Sequence, residues 1–426
     1  MIKKHRKNNF FIVVPYFAII FFVSIWNTAD ANTDSSVDIN TVELSNVECL
    51  LNWAQTFHPN LFSPLVSGVQ SSPPFTYRFY PVTNSYLGVS SDDNHVYYLG
   101  PDGISPKDIG ELSTFLNESG CGQTTHPVIF IHGLDSSADT WVSYRNYLIN
   151  NAGWLFGGIP TYDPETKTVN INCPSDLDFP NACSGGAGNF YTLNFSNNQD
   201  LTLDVLGGEL ADIVKAVLAN NPGTTKVILI GHSSGGLAAR GYLQGLARVL
   251  DSTSTIPYRE DVAKLITVGT PHQGSFWAQA CHANLDLFDI INNVGICDLL
   301  PGDIDSDSIA VQELQPDSAA INTLNDLINH PLPISVLYVS IIGTGQPTLT
   351  SIVDFQDGDG IVSASSQDLI NLSGTSALQQ KSTKIVIPFR ECANEIEIPI
   401  IDNVGQTHTC ETTDITIGAE ILRNLQ

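Results

Sequence analysis

From Thr124 onward the chain alternates short apolar runs with longer stretches in which apolar residues recur every three to four positions. That alternation predicts strands interleaved with helices, hence an α/β class with a mostly parallel sheet flanked by helices. The predicted strands are Val128–Ile131, Phe190–Phe195, Val227–Ile230, Leu265–Val268, Val336–Ile342 and Lys384–Ile387. Leu206 to Ala219 has helical periodicity and stops at Asn220-Asn221-Pro222-Gly223, and a final amphipathic segment covers Ile415–Leu425. Segments 155–188 and 276–312 break the alternation, are rich in turn residues and each carries a cysteine pair, so both are expected to leave the core.

Residues 32–122 have another texture. Glu48–Ala54 reads as a short amphipathic helix, and Tyr77–Pro81, Tyr86–Val89 and His95–Leu99 as aromatic-rich strands separated by turn residues. Ile109 to Phe115 is expected to form a second short helix. This stretch resembles a small α+β module that recurs in exported bacterial proteins. It carries no catalytic constellation, and its isolated His58 and His95 read as surface histidines.

The amino terminus changes the picture. Lys3-Lys4-His5-Arg6-Lys7 is basic, Phe10 to Trp26 is almost unbroken apolar sequence, and Ala29-Asp30-Ala31 places small residues where a signal peptidase reads. Residues 1–31 are therefore expected to be a secretory signal peptide, the alternative being an uncleaved anchor interrupted by Pro15. Losing Lys3, Lys4, Arg6, Lys7 and Asp30 takes the net charge from −26 to −29. So acidic a chain argues against nucleic acid or an anionic membrane as an electrostatically held partner. No other stretch is apolar enough to span a bilayer, so no stable transmembrane anchor is expected after cleavage. All eight cysteines follow residue 31. In an exported chain they read as four disulfides, taken in sequential order as Cys49–Cys121, Cys173–Cys183, Cys281–Cys297 and Cys392–Cys410, although other connectivities remain open. There is no C-x-x-C pair to suggest a zinc ribbon or a thioredoxin-type site.

Gly231-His232-Ser233-Ser234-Gly235 lies between the apolar run Val227–Ile230 and the small-residue stretch Gly236–Gly241. A sharp strand-to-helix turn lifts a serine oxygen out of a sheet toward a base, which a serine needs to become nucleophilic near neutral pH. Val128–Leu134, this elbow, Val268–Ser275, Asp357-Gly358-Asp359-Gly360-Ile361-Val362 and a late His408 follow one another in chain order. In these motifs residues 125–426 resemble α/β-hydrolase-fold bacterial triacylglycerol lipases and the related GPI inositol-deacylase-like esterases. The resemblance implies an α/β-hydrolase domain over 123–426 with a lid or cap around 276–312, and it leaves the small module at 32–122 unexplained.

It further implies Ser233 as nucleophile, with the amides of Leu134 and Ser234 holding the oxyanion. Asp359 matches the position of the acid, with Asp357 and Asp354 as rivals. Of the ten histidines, His408 is the one that follows Asp359, as the order Ser, Asp, His requires. It is expected in a polar loop braced by Cys392–Cys410. The acids near Gly358 and Gly360 could instead bind calcium, but no glutamate follows at EF-hand spacing. The chemistry needs no metal or organic cofactor. The resulting expectation is an exported serine hydrolase acting on lipid or other carboxylic esters, with short-chain esterase, phospholipase, acyltransferase or a non-catalytic binding protein on the same scaffold as alternatives. The apolar residues of 276–300, Leu287 and Phe288 among them, are expected to cover Ser233 and to move.

Overall fold

The chain divides into two units, Met1–Leu116 and Asn117–Gln426. The computed structural model describes residues 50, 51, 54, 70–72, 75–80, 84–90, 92, 93, 95–101 and 106–112 of the first, and 126–150, 152–175, 182–283, 296–300, 303–372, 374–378, 381–388 and 404–425 of the second. The expected signal peptide, the Cys49–Cys121 pair, Cys392 and the 122/123 boundary lie outside the described residues, as do Leu287 and Phe288.

In the first unit an antiparallel meander joins β1 (Gln70–Ser72), β2 (Phe75–Tyr80), β3 (Ser85–Ser90), β4 (His95–Leu99) and β5 (Lys107–Glu111) in chain order. Gly88 faces Tyr77 across β2 and β3, where a Cβ would approach the Tyr77 Cβ to 2.7 Å. The Tyr80 hydroxyl donates to the Leu51 carbonyl at 3.0 Å, joining the buried helical residues 50, 51 and 54 to the sheet. The helix expected over Ile109–Phe115 is corrected at its start: Lys107–Glu111 is an edge strand paired with β4, Gly110 taking φ 137° beside a register shift. The i, i+3 spacing of Ile109 and Leu112 mimicked a helix. Pairing with the aromatic strand β4 outweighs that local pattern.

The second unit is built on an eight-stranded sheet. Its strands are β6 (Val128–Ile131), β7 (Phe156–Asp163), β8 (Thr168–Asn172), β9 (Phe190–Thr192), β10 (Val227–His232), β11 (Val262–Val268), β12 (Leu337–Thr344) and β15 (Ser382–Pro388). They lie in the order β15-β12-β11-β10-β6-β9-β7-β8, and every pair is parallel except β7 with β8. The hairpin β13 (Gln346–Leu349) and β14 (Phe355–Gly358) rises after β12. This is the α/β-hydrolase fold expected. Segment 155–188 is corrected: rather than leaving the core, it supplies β7 and β8 to one edge of the sheet. Its turn residues are concentrated in the connections, and Cys173–Cys183 staples β8 to the approach to β9.

The helices that matter for position are α1 (Val142–Asn150), α2 (Leu203–Asn220), α3 (Ser234–Leu243), α4 (Phe276–His282), α5 (Ile309–Glu313), α6 (Val404–Cys410) and α7 (Ile415–Arg423). β10 is buried at all six positions, as a central parallel strand covered on both faces must be. Helix α2 ends at Asn221 before Gly223, which takes φ 98°. It packs closely on α3: a Cβ on Gly207 would stand 3.2 Å from the Ala238 carbonyl oxygen. Among the described residues no helix is long and apolar enough to cross a membrane.

The same helix supplies a test of packing against propensity. Alanine is favoured over glycine inside a helix by about 1 kcal/mol, but a Cβ on Gly208 would lie 2.0 Å from the Arg248 carbonyl oxygen, a backbone atom. Gly208→Ala is therefore expected to destabilise the protein by about 2 kcal/mol in urea unfolding. A gain in stability would show that the Arg248 loop withdraws freely.

Candidate active site

Strand β10 ends at His232, and Ser233 turns the chain into α3 with φ 52° and ψ −131°, a conformation unusual for a residue with a side chain. Its amide donates to the Val268 carbonyl at 2.9 Å, tying the turn to β11. Side chains are excluded all round. A Cβ on Gly235 would meet the His132 carbonyl oxygen at 2.4 Å, and one on Gly133 would meet the Ser233 Cβ at 2.8 Å. The glycines of the motif therefore set how closely three segments approach.

His408 stands over this turn. Its Nε2 lies 2.9 Å from Ser233 Oγ and its Nδ1 lies 2.8 Å from Asp359 Oδ2. With the proton on Nδ1 the ring donates to Asp359 and leaves Nε2 free to accept from the serine hydroxyl. Asp359 is fully buried. Its Oδ1 accepts from the amides of Ile361 (2.9 Å) and Val362 (2.7 Å), and its Oδ2 from Gln367 Nε2 (3.1 Å) as well as from His408. The rival acids are elsewhere: Asp354 and Asp357 are exposed, and Asp357 Oδ1 accepts from the Gly345 amide at 2.6 Å. His408 sits in helix α6 and not in the expected polar loop, because residues 404–410 close a helical turn before the Asp414 cap of α7. Cys410 at the end of α6 is disulfide-bonded.

The other motif histidines hold the frame. Burial pushes His132 down to about 4, and its ring contacts the Gly133 carbonyl (Nδ1, 3.0 Å) and the Phe195 amide (Nε2, 3.4 Å). His232 is likewise held far below the ordinary range by burial and by neighbouring His408; its Nε2 lies 3.0 Å from the His408 carbonyl oxygen. The two rings lie with centroids 4.8 Å apart, tilted by 35°. His272 is fully buried beside Arg240, with burial the larger cause of its lowered pKa.

A cavity of about 380 Å³ opens above Ser233 and is lined by Leu134, Val142, Leu300, His408, Thr409 and Thr412 among others. The loop bearing Leu134 is anchored by Asn198, which donates to the Gly133 carbonyl at 2.5 Å and to the Ser136 carbonyl at 3.2 Å. Asp135, at φ 46°, accepts from Gln199 Nε2 (2.9 Å) and from the Asp303 amide (2.8 Å), so this loop also holds the returning leg of segment 276–312. The described part of that segment is packed down. Trp277 and Ile296 are buried, joined by a bond from Trp277 Nε1 to the Ile296 carbonyl at 2.7 Å, and Cys281–Cys297 is formed.

Sequence reasoning missed Glu411. It lies fully buried, one carboxyl oxygen 3.3 Å from His232 Nε2 and 3.8 Å from His408 Nδ1. Read as a helix, His408-Thr409-Cys410-Glu411 would have signalled it, since residues three apart share a face. Burial, then neighbouring Asp359 and Asp414, push its carboxyl well above the ordinary range. His232, His408 and Glu411 bring donor atoms within 4.8 Å of one another, a set chemically suited to a borderline ion such as Zn²⁺. The imidazole atoms of that set already face the His408 carbonyl and Asp359.

Residues 123–298 match the family model described as PGAP1-like alpha/beta domain. The chain is 36% identical over 155 residues to triacylglycerol lipases of Pseudarthrobacter phenanthrenivorans and Burkholderia plantarii; the match covers 36% of this chain and 36% and 32% of those proteins. The chain thus spans about a third of the length of these curated relatives. Among solved structures, a Listeria innocua protein superposes with a TM-score of 0.42 at 16% identity, covering 70% of this chain and 92% of that one. The mature Bacillus licheniformis lipase BlEst2 gives 0.39 at 17%, covering 71% and 93%. The resemblance carried by the motifs is thus matched in sequence over the elbow-bearing region.

Glu411 yields a stability prediction. The folded state holds its proton while the unfolded chain releases it near 4.5, so this group makes stability fall as pH rises above about 4.5, until the folded carboxyl itself ionises. Glu411→Gln, a neutral isostere, is expected to match the parent near pH 4 and to gain on it above about pH 4.5, by up to about 1.4 kcal/mol per pH unit while the folded carboxyl stays protonated. Thermal unfolding of both proteins from pH 4 to 8 measures it; parallel profiles would mean that Glu411 is ionised in the fold.

Proposed function

We propose that this chain is an exported serine hydrolase that cleaves carboxylic esters of lipids through an acyl-enzyme, starting from an α/β-hydrolase fold whose elbow-bearing region matches the PGAP1-like family. The observation that carries the reading is His408 within hydrogen-bonding reach of Ser233 Oγ on one side and of Asp359 Oδ2 on the other. In this reading Ser233 attacks the ester carbonyl while His408 Nε2 takes its proton. Asp359 holds the ring with Nδ1–H toward itself and stabilises the imidazolium that forms. His408 then returns the proton to the departing alcohol, and water repeats the sequence to release the acid.

The carbonyl oxygen becomes negative in the tetrahedral intermediate and needs fixed donors. The first N–H groups of a helix have no intrahelical partner, which leaves the Ser234 amide at the start of α3 for this role. Leu134, in the loop packed against Ser233, supplies the second amide. Segment 276–312 acts as a cap over the cavity, its legs fixed by Cys281–Cys297 and by Asp135. The lipid character of the substrate rests on the two relatives named triacylglycerol lipases. Export is supported by the disulfides Cys173–Cys183 and Cys281–Cys297, which persist in oxidising compartments.

Hydrolysis of p-nitrophenyl esters from acetate to palmitate tests the reading. Ser233→Ala and His408→Ala are expected to lower kcat/KM by about 10,000-fold or more with little change in Tm, and Asp359→Asn by about 100-fold or more. Asp357→Asn is expected to stay within about tenfold of the parent. Greater damage from Asp357→Asn than from Asp359→Asn would overturn the choice of acid, and full activity of Ser233→Ala would overturn the mechanism.

A further inference from the structure

Apolar side chains stand free at the tip of the β13–β14 hairpin: Val353 is 79% exposed, Ile352 58% and Phe355 52%. The tip is an ordered turn. The Thr350 amide donates to the Asp354 carbonyl at 2.9 Å, and Ser351 Oγ accepts from the amides of Val353 (3.3 Å) and Asp354 (3.1 Å). Its four cross-strand pairs run from Gln346 with Gly358 to Leu349 with Phe355. The base is clamped to the Asp359 turn: Thr348 Oγ1 accepts from the Gly360 amide at 2.8 Å, and a Cβ on Gly358 would meet the Val362 carbonyl oxygen at 2.4 Å. The hairpin leaves the carboxyl end of β12, which runs parallel to β11 and through it to β10, so it stands at the sheet edge where β10 delivers Ser233. At about 3.4 Å per residue the apolar tip lies roughly 14 Å beyond that base.

We propose that this tip is a docking finger that inserts into a neutral or zwitterionic lipid surface and brings the catalytic edge against it. The choice of lipid rests on the ester-hydrolase reading above. Two observations narrow the occupant. A single turn is far smaller than the roughly 800 Å² per partner of a stable protein interface, but a few protruding apolar side chains suffice for shallow insertion. From Gly345 to Gln380 there is no lysine or arginine, while Asp354 and Asp357 flank the tip, so an anionic headgroup finds no counter-charge there. In the described legs of segment 276–312, Trp277, Ile296 and Leu300 are buried while Ile309 is partly exposed.

The test uses the full chain carrying Ser233→Ala, so that binding is read without turnover, with flotation on triolein emulsions coated with phosphatidylcholine or with phosphatidylglycerol. Binding to the phosphatidylcholine-coated droplets is expected, falling about tenfold or more when Ile352, Val353 and Phe355 are all changed to serine. The same triple change on the unmodified chain is expected to leave p-nitrophenyl acetate hydrolysis intact. In a second variant, Val353→Trp, brominated phosphatidylcholine is expected to quench fluorescence beyond that of the parent's own tryptophans, which reports insertion even if the triple variant folds poorly. Unchanged flotation of the triple variant, no added quenching at position 353, or preference for phosphatidylglycerol would each overturn the proposal. Lipid binding that depends on the tip in a chain without esterase activity would leave the finger standing and reject the ester-hydrolase reading instead.

Discussion

Ser233 is held at φ 52° in a turn packed so closely that a Cβ on Gly133, Gly235 or Gly236 would strike the Ser233 Cβ, the His132 carbonyl or the Thr270 side chain. Positive φ at a residue with a side chain costs of order 1–3 kcal/mol and persists only where the surroundings over-determine it. Here the buried strand β10 and the bond from the Ser233 amide to Val268 supply that constraint. The same turn places Ser233 Oγ beside His408, the Ser234 amide at a helix start, and the Gly133 backbone against the serine.

Two buried carboxyl groups beside His408 differ in what surrounds them. Asp359 is offered two backbone amides, the Gln367 amide group and His408 Nδ1, so its lone pairs are engaged on both oxygens. Glu411 stands 3.3 Å from His232 Nε2 and 3.8 Å from His408 Nδ1, and burial, then Asp359, raises its pKa. A raised pKa there disfavours burying a further charge beside His408. Likewise His132 and His232, neutral by burial, brace the loop and the His408 ring without adding charge.

Much of this was legible in the sequence. The 3.6-residue pattern of Leu206–Ala219 and the apolar runs of β6, β10 and β11 are set by burial, which residue type reports directly. Ser233, Asp359 and His408 stood in motifs whose spacing reflects the strand ends that carry them, and the structure brings them together. What escaped depended on partners distant in sequence. Lys107–Glu111 became a strand because β4 lies beside it, and Phe156–Asp163 joined the sheet because β9 offered a parallel edge, which no local pattern announces. Glu411 was missed because its stretch was read as a loop and not as a helix, whereas the bridge from Asp135 through Gln199 to residues 303–305 was invisible for the same reason as the two strands. The tie runs over gaps of 64 and 106 residues and depends on two loops converging.

The central claim is that Ser233 is a nucleophile activated by His408. Labelling the folded chain with a fluorophosphonate and mapping the adduct by peptide mass spectrometry tests it most directly. The account predicts a single adduct on the peptide containing Ser233, formed at least about 1,000-fold more slowly when His408 is alanine. An adduct on another serine, no adduct on a folded chain, or labelling indifferent to His408 would contradict it.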